Sequence, residues 1–235
     1  MTNKVAIIAR RELSDLMFNR STLIAGALFT TWFSVYHGYA VGMAGSEGIS
    51  DAYAGTLLAM TAMVSVFVGY IFSGQAFLFE KVEGIVETLI CSPIRLKELW
   101  LGKTFGIALP AWVCSLVFCI VFSVIASFLS DVTLVPSAAM IAHVLVVVPL
   151  FTVAAVGTIG IWQLVLGMRE NQIVNLLVFL VLFFAIFFSR TLLDQGLVSS
   201  WQAALVLLVA GLLLLGFTLL LSRFLSKERI VRSIP

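Results

Sequence analysis

The sequence predicts an all-α membrane protein with six transmembrane helices. Three observations carry this: more apolar residues than a soluble core could bury, six long unbroken apolar runs, and a one-sided distribution of cations. Of the 235 residues, 61% are apolar and only 11% charged, against roughly half and about a quarter in a soluble domain. The mean hydropathy is +1.13. A spanning helix takes about 20 residues, so six spans with short connections use up the chain and leave little for a soluble part. A single domain over residues 1–235 follows. Unbroken apolar runs favour helices over barrel strands, which alternate. A helix also pairs its own backbone groups within lipid.

The first element, residues 2–19 within an interfacial segment 1–20, is not a span. Val5, Ile8, Ala9, Leu13, Leu16 and Met17 recur at helical spacing on one face, with Lys4, Arg11 and Asp15 opposite. This is the pattern of an amphipathic helix in the membrane interface. Glu12 interrupts the apolar stripe. It either snorkels, pairs with a nearby Arg, or takes part in a contact beneath the membrane. Residues of both charge signs precede the first apolar run, which is too long for a signal-peptide core, so no cleavable signal is expected.

The six apolar runs cover residues 21–43, 53–77, 99–128, 137–160, 173–188 and 201–224. The third and fourth are long, which implies tilt or interfacial extension, and Pro110 and Pro149 are candidate kinks. With the N-terminus inside, every one of the 14 Lys and Arg residues except Arg190 falls on the inner side. Glu47, Asp51, Asp131 and Asp194 fall in the outer loops. The positive-inside rule then places both termini in the cytoplasm.

The longest polar-rich connection is residues 79–103, FEKVEGIVETLICSPIRLKELWLGK. Gly84 breaks the approach from the second span. Ile85, Val86, Leu89 and Ile90 form an apolar stripe, with Glu83 and Glu87 one turn apart. Ser92-Pro93 ends this short helix, because the residue before proline avoids the α region. A second amphipathic piece, 94–101, leads into the third span.

This stretch resembles the pattern E-x-x-x-G-x-x-E-x-L-x-x-S-P-[IV] … E-x-x-x-G-K found after the second span of ABC-2 type permeases, the membrane subunits of ATP-binding-cassette transporters. The matching residues are Glu80, Gly84, Glu87, Leu89, Ser92, Pro93, Ile94, Glu98, Gly102 and Lys103. The N-terminal Arg10–Leu13 is similar to the start of that family's interfacial helix, and accounts for Glu12. The resemblance implies that segment 79–98 is a cytoplasmic coupling helix docking on a separate ATPase subunit. Glu12, Glu80, Glu83, Gly84, Glu87, Leu89, Ile90, Ser92 and Pro93 would lie at that contact. It further implies an exporter in the plasma or inner membrane, working as a homo- or heterodimer of permeases with two ATPase copies. ATP and Mg would sit on the ATPase. Residues 189–200 lack the proline common in the family's outer segment between spans five and six. The haem-exporter permeases of cytochrome c maturation have a similar E-x-G-x-x-E-x-L segment and are a related alternative.

Other chemistries find little support. The LGKT at 101–104 matches only the end of a phosphate-binding loop. Lys97 stands where its first glycine belongs, and no strand precedes it. The chain is therefore expected to bind no cofactor, no nucleotide and no nucleic acid, and to be no enzyme. Lys103 reads as an anchor snorkelling to the cytoplasmic surface. His37 and His143 come without a nucleophile motif and read as interfacial anchors or interhelical bonds. Cys114 and Cys119 fall on different helix faces and Cys91 in the cytoplasmic segment, with no metal-ligand spacing. An ATP-independent carrier is the competing class. Tyr70, Ser73, Gln75 and Gln163 are its candidate path residues, or else glue between helices.

Overall fold

The computed structural model describes residues 2–43, 48–85, 88, 94–195, 198–226 and 230, with only part of the side chains in 168–194. Its elements are helices: α1 (Thr2–Phe18), α2 (Arg20–Gly42), α3 (Ile49–Val82), α4 (Leu96–Ser130), α5 (Ala138–Val165), α6 (Met168–Asp194) and α7 (Ser200–Leu221). Among the described residues there is no strand. Four of these helices, α3, α4, α5 and α7, are long and apolar enough to cross a membrane.

Helices α3 and α4 outrun the apolar runs of the sequence, because their end turns carry polar residues. α3 gains five residues beyond Phe77, and α4 begins before Leu99 with Glu98 accepting the Arg95 backbone N–H at 3.2 Å. That carboxylate satisfies one of the donors a helix N-terminus leaves free. Pro110 does not interrupt α4, which stays α-helical over 35 residues. Pro149 follows a widened π turn at His143–Val147 in α5, a common place for a helix to absorb a missing hydrogen bond.

α3 and α5 form the centre. Their apolar stretches are 78% and 72% buried, against 22% for α4 and α7. α3 packs against α2, α4, α5 and α6. Small residues let the backbones approach: a Cβ on Gly69 of α3 would come within 2.7 Å of Val156 Cγ2 on α5. Polar side chains then bond across the helices. Ser65 and Thr152 hydroxyls meet at 2.6 Å, Tyr53 and Ser123 at 2.8 Å, and the Trp100 indole donates to the Gly157 carbonyl at 3.0 Å.

α2 has 23 residues, the length of a span, but many are polar or small. Their placement explains them. Thr22, Gly26, Thr30, Ser34, Gly38 and Gly42 recur every fourth residue and are all buried. A Cβ on Gly38 would lie 2.9 Å from Ile125 on α4, and one on Gly42 2.6 Å from Leu129. Such a small-residue stripe is how membrane helices pack closely. Ile24, Leu28, Trp32 and Val35 face outward. The apolar run covers this helix but does not show the stripe that fixes its inner face.

Met17, on the apolar stripe of α1, is exposed while its neighbour Leu16 is buried. One expectation is corrected. Of the two readings of His143, an interfacial anchor or an interhelical group, the first does not hold: the side chain is fully buried in the π turn of α5. His37 lies against Phe33 and Tyr36. Cys114 and Cys119 are free thiols packed beside the core.

Candidate functional site

The polar segment 79–103 that the sequence singles out is rooted where α1, the end of α3 and the start of α4 meet. α3 does not run out as a regular helix. It widens into a π turn over Gly74–Phe79, adds Glu80–Val82, and stops at Gly84, whose φ of +73° is the left-handed geometry that favours glycine at a helix end. Consecutive residues at this end, Glu80 and Lys81, then reach different neighbours.

Glu80 turns to α4. Its Oε1 accepts from Lys103 Nζ at 2.8 Å. The same ammonium donates to Glu12 Oε2 of α1 at 2.8 Å and to the Ala76 carbonyl in the π turn at 3.0 Å. A lysine ammonium has three donors, so all are used. Its charge also lies 5.8 Å from the centre of the Phe77 ring. Lys103 is 3% exposed and Glu12 6% exposed. Burial pushes the Glu12 carboxyl above its usual range, and the Lys103 ammonium opposes that shift.

The backbones allow this because α4 presents glycine to α1. A Cβ on Gly102 would lie 2.6 Å from Ile8 Cβ, and one on Gly106 2.7 Å from Glu12 Cβ and 2.8 Å from the Ala9 carbonyl oxygen. Ile8 meets Gly102 and, one turn on, Glu12 meets Gly106, so α1 runs alongside α4 in the same direction. The G-x-x-x-G spacing brings Glu12 onto Lys103.

Lys81 turns to α5. Its Nζ donates to the carbonyls of Leu166, Leu164 and Gln163 at 2.6, 3.2 and 3.4 Å. These belong to the end of α5, where carbonyls lack helical partners and a cation is favoured. Lys81→Met is expected to leave them without this donor. It should cost about 1–3 kcal/mol, read as a lower midpoint of thermal unfolding in detergent, with Lys97→Met, at an exposed position, as the unaffected control.

The sequence-derived residues thus fall into three groups. Glu12 and Glu80, expected at a surface of contact, are turned inward onto Lys103, and the Oε2 of Glu80 is buried without a partner. Lys103 is not a snorkelling anchor; its ammonium is enclosed by two carboxylates that a surface position could not have supplied. Glu83 is exposed and Gly84 half-buried at the start of the segment. Glu87, Leu89, Ile90, Ser92 and Pro93 lie outside the described residues, as does Cys91. Gly102, Lys103 and Thr104 sit within a regular helix, where the Thr104 hydroxyl donates to the Trp100 carbonyl at 2.8 Å.

Of the candidate path residues, Ser73 is buried and donates to the Tyr70 carbonyl at 2.9 Å. Gln163 is buried, with its Oε1 unpartnered. Tyr70 and Gln75 are half-buried on the last turns of α3. Asn171 at the start of α6, which the sequence reading passed over, is also fully buried, with both side-chain polar atoms unpartnered. Among the described residues, no cluster of three or more His, Cys, Asp or Glu is placed to hold a metal ion.

No family model matches this chain, and no curated protein matches its sequence. The chemistry of the cluster has to stand by itself. It contains no nucleophile–base pair. It is a structural joint: two buried lysines fasten the end of α3 to α1 and α4 on one side and to α5 on the other.

Proposed function

We propose that this chain is the membrane subunit of an ATP-driven transporter, an ABC-2 type permease acting as an exporter and driven by a separate ATPase. In this reading α2 and α6, of 23 and 27 residues, complete six spans with the four apolar helices. The buried small-residue stripe of α2 supports its place among them. Both termini are cytoplasmic by the distribution of Lys and Arg. Six spans are few for a complete path, so two protomers share it about a two-fold axis.

The observation that carries the reading is the Glu12–Lys103–Glu80 triad at the root of the segment 79–98. A segment that merely linked two spans would need no buried ion pairs at its base. Rooted this way, a push on the segment moves α1, α3 and α4 together, as a two-state element biased by nucleotide requires. Glu12 and Glu80 then serve the joint, while the exposed Glu83, with Glu87, Leu89 and Ile90 beyond it, meets the ATPase.

The test is a charge reversal in the segment, Glu83→Lys with Glu87→Lys. An ATPase subunit is expected to copurify with the wild-type chain in mild detergent and to be lost from the double variant, whose expression and thermal unfolding stay normal. ATP-driven transport should fall by at least tenfold. A wild-type chain that transports with no ATPase attached would be an independent carrier and would overturn the proposal.

A further inference from the structure

The seam between α1 and α4 carries two adjoining grooves. One, of about 620 Å³, lies between Val5, Ala6 and Ala9 of α1 and Arg95, Lys97 and Phe105 at the start of α4. The other, of about 440 Å³, shares Ala9 and Phe105 and continues to Leu13, Leu109, Trp112 and Val153, with Arg10 at its edge. They form one depression that changes in character along its length.

At the α4 start it is basic. Arg95 and Lys97 are exposed, and among the described residues neither they nor Arg10 forms an ion pair. Arg11, by contrast, pairs with Asp15 at 3.5 Å. The one carboxylate among the described residues lining the basic end, Glu98, is 8% exposed and turned to the Arg95 backbone N–H, capping the helix. The deep end is apolar. Even the Trp112 indole N–H is directed away, to the Val144 carbonyl at 2.9 Å. From Arg95 to Trp112 the axis of α4 advances by about 25 Å at about 1.5 Å per residue. Half of a bilayer about 40–45 Å thick is close to that. The depression therefore has the depth of one leaflet, cationic at the headgroup level and apolar below it.

We infer that the α1–α4 seam binds one anionic phospholipid, its phosphate held by Arg95 and Lys97 and an acyl chain lying along Phe105, Leu109 and Trp112. Charge complementarity selects the anionic headgroup, and the apolar lining takes a chain that would otherwise leave a void beside the packed helices. The Glu12–Lys103 pair lies on the same seam, so the lipid lies alongside the joint. The site is independent of any ATPase partner.

The test uses the full chain, delipidated in detergent and mixed with either dioleoyl phosphatidylglycerol or dioleoyl phosphatidylcholine, with retained lipid counted by native mass spectrometry. One phosphatidylglycerol is expected to be retained at least tenfold more tightly than phosphatidylcholine. The double variant Arg95→Gln with Lys97→Gln should lose that preference at an unchanged unfolding temperature, while Arg11→Gln keeps it. Val153→Phe, which fills the deep end, should weaken retention of both lipids. Equal retention of the two lipids would overturn the proposal. So would a preference that survives the double variant, or a seam that takes no lipid because a second copy of the chain covers it.

Discussion

Replacing Lys103 with Met is expected to abolish stable folding of the membrane domain. The substitution leaves the Glu12 carboxylate and the inner oxygen of Glu80 enclosed with no cation, and the Ala76 carbonyl without its donor. Breaking a buried ion pair by removing one partner costs about 3–5 kcal/mol, a large share of the about 5–15 kcal/mol that holds a typical domain together. The measurement is the midpoint of thermal unfolding in detergent, with the yield of monodisperse protein as a second readout. Neutralising all three positions together, Glu12→Gln, Glu80→Gln and Lys103→Met, should recover most of the loss, because no charge is then stranded. Glu12→Gln alone should cost less than Lys103→Met: burial already raises the Glu12 pKa, so a neutral side chain there escapes part of that desolvation. Wild-type stability in Lys103→Met would mean that the three side chains are open to water.

The second large effect is steric. Gly106→Ala puts a methyl 2.8 Å from the Ala9 carbonyl oxygen and 2.7 Å from Glu12 Cβ. Neither atom is the end of a flexible side chain, so α1 itself must move off α4. Overpacking of this kind costs about 1–3 kcal/mol, and here it also pulls Glu12 from Lys103. Gly106→Ala and Glu12→Gln should therefore be less than additive in a double-mutant cycle, because both act on one contact. Gly102→Ala should behave similarly, with Ile8 Cβ at 2.6 Å. Gly216→Ala in α7, where nothing lies within 4 Å of the added methyl, is expected to cost nothing, since alanine is the better helix former. A full loss at Gly216 as well would mean that glycine content, rather than close packing, sets stability.

Much of the architecture was legible in the sequence. The amphipathic first helix, the order of the long helices and the break at Gly84 all follow from composition and spacing along a few turns. The limits of α3 and α4 were less legible, since their last turns are polar and hydropathy alone ends a helix too early. The site was legible only as a list of charges. Glu12 stood out as a carboxylate in an apolar stripe, and Glu80 and Lys103 as elements of a pattern. Gly102 and Gly106 were four residues apart on the very helix that carries Lys103, a signal of close helix approach that could have paired α1 with α4.

By itself the sequence determined that this is a helical chain with runs apolar enough to cross a membrane, with its cations gathered in a few connections and a long polar segment after the second run. Those properties depend on the local content of the chain: how many apolar residues follow one another, and where Lys and Arg fall between them. Only the tertiary structure decided which charges are buried and on whom they depend. Glu12 and Lys103 are 91 positions apart, and Lys81 and Leu166 are 85 apart. A lysine at the end of an apolar run has the same sequence whether its stem extends to water or turns inward. The choice is made by what packs opposite: glycines that admit α1, a widened turn that offers a carbonyl, and a helix end that lacks a donor.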